Sequence, residues 1–357
     1  MIRVLVVEDS RTVQRALVAA LESDPAITVV GCAETGEAAV EAAASLRPDL
    51  VTMDLHLPGM DGYEATRAIM SLSPVPVVIV TSKVDPADSS TLFRVMEAGA
   101  LMVLAKPEPP GTPRHAASVE KLIRHVKLMS EIKVVRRTFP RPSAAAPAPL
   151  PTPPDALPDG QQVRVVAIGA STGGPPLLGE ILSSLPESFS LPVMVVQHMA
   201  DGFTGNFVHW LNQNSRLPVG LACQGEPLLG GRVYVAPEGC HLEAGPGERV
   251  QLSTAPPVNG LRPAVCALFR SVALRFGPRS AGILLSGMGS DGARGLLAIK
   301  EQGGITVAQD RESSVVFGMP GAAVALGAAR YVLPPDGIVR LLTRLGTPHS
   351  LAPQEVP

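Results

Sequence analysis

Five short apolar runs mark the N-terminal part of the chain, at residues 4–7, 27–31, 50–53, 75–80 and 101–104, with helical patterns between them. Runs of this length bounded by turn residues read as buried strands. Their alternation with helices predicts a doubly wound parallel sheet of five strands. A helical pattern over 115–137 closes this region. Proline then becomes dense from 139 to 160, too dense for helix or sheet ladders, which predicts an extended, semi-rigid tether. Beyond it the alternation resumes. Apolar runs at 163–168, 192–197 and 281–285 lead into helix candidates at 175–185, about 204–212 and 293–302. The closing stretch, 347–357, reads as a frayed tail, and no internal repeat is seen.

Parallel α/β sheets bring the carboxyl ends of their strands to one edge, where ligands bind. In the first region that edge receives Glu8 and Asp9 after the first strand, Asp54 after the third, Thr81 at the end of the fourth and Lys106 after the fifth. Three carboxylates repel one another unless a cation sits among them. A hard divalent ion such as Mg²⁺, bound through oxygen, suits such a set. A carboxylate beside Mg²⁺ and a lysine can also attack a phosphoryl donor. Acidic residues after strands have a plainer use as helix caps, and for Asp9 alone that reading competes.

In the second region Gly169-Ala170-Ser171-Thr172-Gly173-Gly174 stands between a strand and a helix. A serine on such a turn is exposed as a nucleophile, although small-residue loops also cradle phosphates. His198 follows the next strand and Asp291 follows the last of the three, so the edge rule brings Ser171, His198 and Asp291 together. These are the residue types of an acyl-transfer triad: serine attacks, histidine takes its proton, aspartate steadies the imidazolium. Backbone N–H groups in the 287–289 loop or after Ser171 could form an oxyanion hole. Asp291 has a second reading as the N-cap of its own helix. His209 and His241 are rivals for the base, the first on a helical pattern beside Trp210, the second near a turn-rich stretch. The only histidine after Asp291 is His349 in the tail, which excludes the common α/β-hydrolase order of serine, acid, histidine.

Composition narrows the classes. With 357 residues, 46% apolar and 17% charged, the chain can bury two or three large cores. A formal charge of −2, with no basic run interleaved with aromatics and no helix-turn-helix with a basic face, speaks against nucleic acid. The four cysteines form no Cys-x-x-Cys pair, which argues against zinc and a disulfide framework. The N-terminus lacks a signal-peptide pattern and no apolar stretch reaches membrane-spanning length. These features predict a soluble, cytoplasmic chain without membrane insertion, and give no reason to expect more than a monomer.

Two resemblances follow from the motifs. Residues 1–125, through Val7-Glu-Asp-Ser10, Met53-Asp-Leu-His-Leu-Pro-Gly-Met-Asp-Gly62, Thr81 and Lys106-Pro107, resemble a two-component receiver domain of flavodoxin-like topology. That resemblance implies phosphorylation of Asp54 by a histidine kinase, Mg²⁺ held by Glu8, Asp9 and Asp54, and Thr81 and Lys106 sensing the phosphoryl group. Residues 163–346 resemble the catalytic domain of CheB, the chemotaxis protein-glutamate methylesterase. The matching motifs are Ile168-Gly-Ala-Ser-Thr-Gly-Gly174, Val196-Gln-His-Met199 with Gly202-Phe-Thr204, Val235-Ala-Pro237, Gly287-Met-Gly-Ser-Asp-Gly-Ala293, Gln309-Asp310 and Ser313-Ser-Val-Val-Phe-Gly-Met-Pro320. By this resemblance Ser171 is the nucleophile, His198 the base and Asp291 its partner, with Met288 at the oxyanion hole and Thr172 in support.

The implied activity is phosphorylation-activated hydrolysis of glutamate γ-methyl esters on methyl-accepting chemotaxis receptors, with deamidation of receptor glutamines. It needs no cofactor for ester hydrolysis. The helix extension and tether, 126–162, would let an unphosphorylated receiver cover the second domain and release it on phosphorylation. The chain departs from the family pattern at Leu261, Cys266 and Gly321, where neither stretch is expected to touch the triad and substrate or partner binding is what they would alter. Two other readings stay open from sequence: a same-family esterase in a non-chemotaxis pathway, and a non-catalytic module binding a phosphate or nucleotide. Against the latter, the serine loop lacks the Gly-Lys-Ser/Thr ending of a P-loop.

Overall fold

The computed structural model describes residues 1–82, 89–132, 134, 162–199 and 202–347, with the backbone alone for 89–93. The predicted tether, 139–160, and tail residues 348–357 lie outside the described residues. The chain forms two compact units, Met1–Ala145 and Ala146–Pro357.

The first unit alternates β1 (Ile2–Val7), α1 (Arg11–Glu22), β2 (Ile27–Ala33), α2 (Gly36–Leu46), β3 (Leu50–Met53), α3 (Gly62–Leu72), β4 (Val77–Thr81), α4 (Ser89–Ala98), β5 (Met102–Ala105) and α5 (His115–Ser130). The strands form one parallel sheet in the order β2-β1-β3-β4-β5. All four residues of β3 and all five of β4 are buried, as a sheet covered by helices on both faces requires. Side-chain caps start two helices: Thr35 accepts the Ala38 N–H ahead of α2, and Asp61 accepts the Glu64 N–H ahead of α3. The long helix is shorter than its pattern suggested. It ends at Ser130, and Ile132 and Val134 lie outside it; residues 135–137 are outside the described set. The β-branched run that follows keeps the apolar spacing but favours helix weakly.

The second unit holds β6 (Val165–Ala170), α6 (Gly174–Ser184), β7 (Val193–Gln197), α7 (Thr204–Asn214), β8 (Val219–Leu221), β9 (Val233–Val235), β10 (His241–Gly245), β11 (Arg249–Ser253), α8 (Val265–Phe276), β12 (Ser280–Leu284), α9 (Ala293–Glu301), β13 (Ile305–Gln309), α10 (Met319–Ala325), β14 (Tyr331–Leu333) and α11 (Pro335–Gly346). Seven strands make a parallel sheet in the order β14-β13-β12-β6-β7-β9-β8, and β10 and β11 form a separate antiparallel hairpin. The sheet reverses direction at β6: β7 continues on one side, while β12 lies on the other. In the first unit β1 holds the same position between β2 and β3. Each unit therefore has a crevice at its switch point, beyond the strand C-termini.

Two candidate sites at the sheet switch points

In the first unit the crevice collects the acidic residues. Glu8 and Asp54 are buried, Asp9 is exposed, and one carboxylate oxygen from each lies within 4.8 Å of the others. Lys106 Nζ stands 2.7 Å from Glu8 Oε2 and 2.7 Å from Asp54 Oδ2. Its backbone N–H bonds to the carbonyl of Thr81, the buried residue that ends β4. Asp54 Oδ1 accepts its neighbour's N–H, from Leu55, at 2.7 Å. Burial, reinforced by the Asp54 charge, pushes the Glu8 carboxyl above the usual carboxylate range despite the lysine. Burial would lower the Lys106 ammonium, but its bonds to Asp54 and Glu8 outweigh that and raise it. Three carboxylates against one ammonium leave a set of hard oxygen donors short of positive charge. Such a set fits a divalent cation like Mg²⁺. All five residues singled out from sequence share this crevice.

In the second unit the edge is built by the ladder itself. Ala170 pairs with Gln197 at the end of β6 and β7, and His198 N–H donates to Ala170 O at 2.9 Å. Ser171 and His198 are therefore the first residues past two adjacent strands. Ser171 N–H donates to Ser286 O at 3.0 Å, which ties the serine loop to the loop after β12. The approach there is close: a Cβ at Gly287 would fall 2.7 Å from Ser171 Cβ and 2.3 Å from Met319 Sδ, so glycine is required. Gly173, which caps α6 at φ +79°, is required for the other reason, a left-handed backbone.

His198 Nε2 lies 3.0 Å from Asp291 Oδ2. The pair is in ion-pair range but not aligned for a hydrogen bond, and no hydrogen bond joins Ser171 to His198 among the described residues. Asp291 itself is fixed. It is 4% exposed, Oδ2 accepts Val265 N–H at 2.7 Å, and Oδ1 accepts Cys266 N–H at 3.0 Å and Gly292 N–H at 2.9 Å. Burial would raise its carboxyl, but His198 and these N–H groups hold it below the usual carboxylate range. Its own helix is preceded by Gly292 without a side-chain cap. Asp291 instead caps α8, whose N-terminal dipole favours the anion.

This corrects one expectation from the sequence. Cys266 was not expected to touch the triad, yet its N–H bonds to Asp291 and its Sγ takes the Gly292 N–H at 3.1 Å. Burial, with the Asp291 charge beside it, pushes this thiol's pKa up. Leu261 closes a turn with Val258, and Gly321 lies under the Phe317 ring. The rival histidines separate cleanly. His209 is exposed on α7 beside Gln213. His241 is buried, with Nδ1 accepting Ala264 N–H and Nε2 donating to Pro256 O, a structural histidine at the start of α8.

Thr172 carbonyl accepts the Ser286 hydroxyl at 2.8 Å. The N–H groups of Thr172 and Met288 have no acceptor among the described residues. Three buried polar residues were not singled out from sequence: Gln197, Ser286 and Gln309. Gln309 Oε1 accepts Ser286 N–H at 2.7 Å, and Gln197 bonds the carbonyls of Ser171 and His198. For the two glutamines the signal was present as a polar residue ending a buried strand, β7 and β13; Ser286 carried none.

The comparisons with known proteins identify the family. Residues 166–342 match the CheB methylesterase family, and residues 4–117 match the response regulator receiver domain. A Geobacter metallireducens protein named protein-glutamate methylesterase/protein-glutamine glutaminase 4 is 49% identical over 97% of this chain and 99% of its own. A Nitrosospira multiformis protein with the same activities in its name is 48% identical over 97% of each. The crystal structure of the Thermotoga maritima CheB methylesterase catalytic domain covers 51% of this chain and 98% of its own, at 39% identity and a TM-score of 0.50. The chain belongs to the CheB methylesterase family, with a response regulator receiver domain ahead of the methylesterase domain.

Proposed function

We propose that this chain is a phosphorylation-activated protein-glutamate methylesterase that hydrolyses glutamate γ-methyl esters on methyl-accepting chemotaxis receptors and deamidates receptor glutamines. The observation that carries the reading is the His198–Asp291 pair beside Ser171 at a sheet switch point. Ser171 Oγ attacks the ester carbonyl carbon while His198 takes the hydroxyl proton. With Nε2 turned to Asp291, Nδ1 is the ring atom left for that proton. The tetrahedral oxyanion is met by the N–H groups of Met288 and Thr172. Collapse breaks the bond to methoxide, which leaves as methanol with the proton from His198. Water, deprotonated by His198, then cleaves the acyl-serine and yields glutamate. With glutamine the same route releases ammonia.

Asp54 is the phosphoryl acceptor, supplied by a chemotaxis histidine kinase, with Thr81 and Lys106 responding to the new group. Glu8, Asp9 and Asp54 would hold Mg²⁺, which neutralises charge on the transferring phosphoryl group. The receiver spans 1–125, the helix extension and linker 126–162, the esterase 163–346 and the tail 347–357, and the chain works in the cytoplasm. None of the described helices is long and apolar enough to cross a membrane, in keeping with action on receptors from outside the bilayer. The test is methanol release from methyl-esterified receptor membranes, with and without a small phosphodonor and Mg²⁺. Release that rises with the donor supports the reading; release absent under both conditions overturns it.

A further inference from the structure

Past the last ladder pair, β6 and β7 must part, one chain turning into α6 and the other into the loop before α7. The carbonyls of Ser171 and His198 then lose the ladder donors that would fix their spacing. Gln197 supplies donors to both, alongside the Gly174 N–H that Ser171 O also accepts at 2.8 Å. Its amide Nε2 gives one hydrogen to Ser171 O at 2.9 Å and the other to His198 O at 2.8 Å. The residue is 5% exposed, and Oε1 is buried with no donor among the described residues. The other four residues of β7 are apolar and fully buried. A position filled for packing alone would be apolar too, without an orphaned acceptor.

We propose that Gln197 is a positioning residue for the esterase reaction: its one amide group clamps the backbones that carry the nucleophile and the base. The role needs two hydrogens on one nitrogen at this reach. Asparagine is too short, methionine has no donor, and glutamate can offer at most one hydrogen and only when protonated. The inference rests on the reading of Ser171 and His198 as nucleophile and base.

The test compares full-length wild type, Ser171→Ala, Gln197→Met and Gln197→Glu by methanol release across a pH series, with thermal midpoints measured alongside. Wild-type release that Ser171→Ala abolishes secures the underlying reading, and its absence removes that reading and this inference together. With it secured, Gln197→Met should lower kcat about tenfold or more with KM within about twofold, since misplaced reacting groups slow chemistry more than binding. Gln197→Glu should recover relative to wild type as pH falls and its carboxyl gains a proton. His198, whose carbonyl Gln197 bonds, is the ionisable group beside this point; a new carboxylate would favour its protonated form, which slows a base as pH falls and so opposes the predicted recovery. Wild-type kcat in Gln197→Met overturns the proposal. So does a Gln197→Glu ratio that is flat with pH, because a fold defect alone would give no recovery on protonation.

Discussion

The two switch points use the same edge of the same kind of sheet and treat charge in opposite ways. In the receiver crevice three carboxylates meet one lysine, and burial prevails: the Glu8 carboxyl is pushed up. In the esterase crevice a single buried carboxylate, Asp291, takes three N–H groups and a histidine, and bonding prevails: its carboxyl is held down. The first site is short of positive charge and is suited to a cation and a phosphoryl group that come and go. In the second the carboxylate is already fixed by N–H groups before substrate arrives, as electrostatic preorganisation requires. One fold edge thus serves as a switch in one unit and as chemistry in the other.

The comparison breaks most sharply at Ser171. Ser171→Ala should cut methanol release by about 10⁴-fold or more while circular dichroism stays that of wild type. Asp291→Asn comes next, with kcat reduced by roughly 10³- to 10⁴-fold. It should also cost stability, because an amide nitrogen would face the N–H groups of α8. The pH dependence of that cost has a definite sign. Asp291 titrates lower in the folded state than unfolded, so its contribution is present above the ordinary carboxylate pKa and lost as pH falls through the depressed folded value. Denaturant titrations of wild type and Asp291→Asn should therefore converge in acid; a gap that widens there would contradict the assignment.

In the receiver the expected effect is regulatory. Asp54→Asn should erase the increase in release caused by a phosphodonor with Mg²⁺, read in the same methanol assay. A donor response that persists would take Asp54 out of the switch. The smallest effect should be at Cys266. Its contact with Asp291 is mainly through backbone N–H, so Cys266→Ser should leave kcat within about threefold.

Much of this was legible in the chain. Eight buried strands were visible as apolar runs because both faces of a parallel sheet are covered, and each of those runs has a strand within a few residues of it; β13 and the β10–β11 hairpin were not picked out. The edge rule then gathered Ser171, His198 and Asp291, and Glu8, Asp9, Asp54, Thr81 and Lys106, without knowledge of strand order. What failed to show depended on tertiary placement. The helix pattern ran on to 137 because Ile132, Val134 and Val135 keep its spacing, yet the helix stops at Ser130. The three-residue strands β8, β9 and β14 are too short to carry a period. Gln197 acquires its role only from the register that sets it beside Ala170. Cys266 meets Asp291 only because α8 points its N-terminus at the crevice.

The most direct measurement is peptide mass spectrometry of the full-length protein after treatment with a fluorophosphonate that modifies activated serines. The account predicts an adduct on Ser171 that forms far more slowly in His198→Ala and in Asp291→Asn. An adduct on another serine, or labelling of Ser171 unchanged by either substitution, would contradict it.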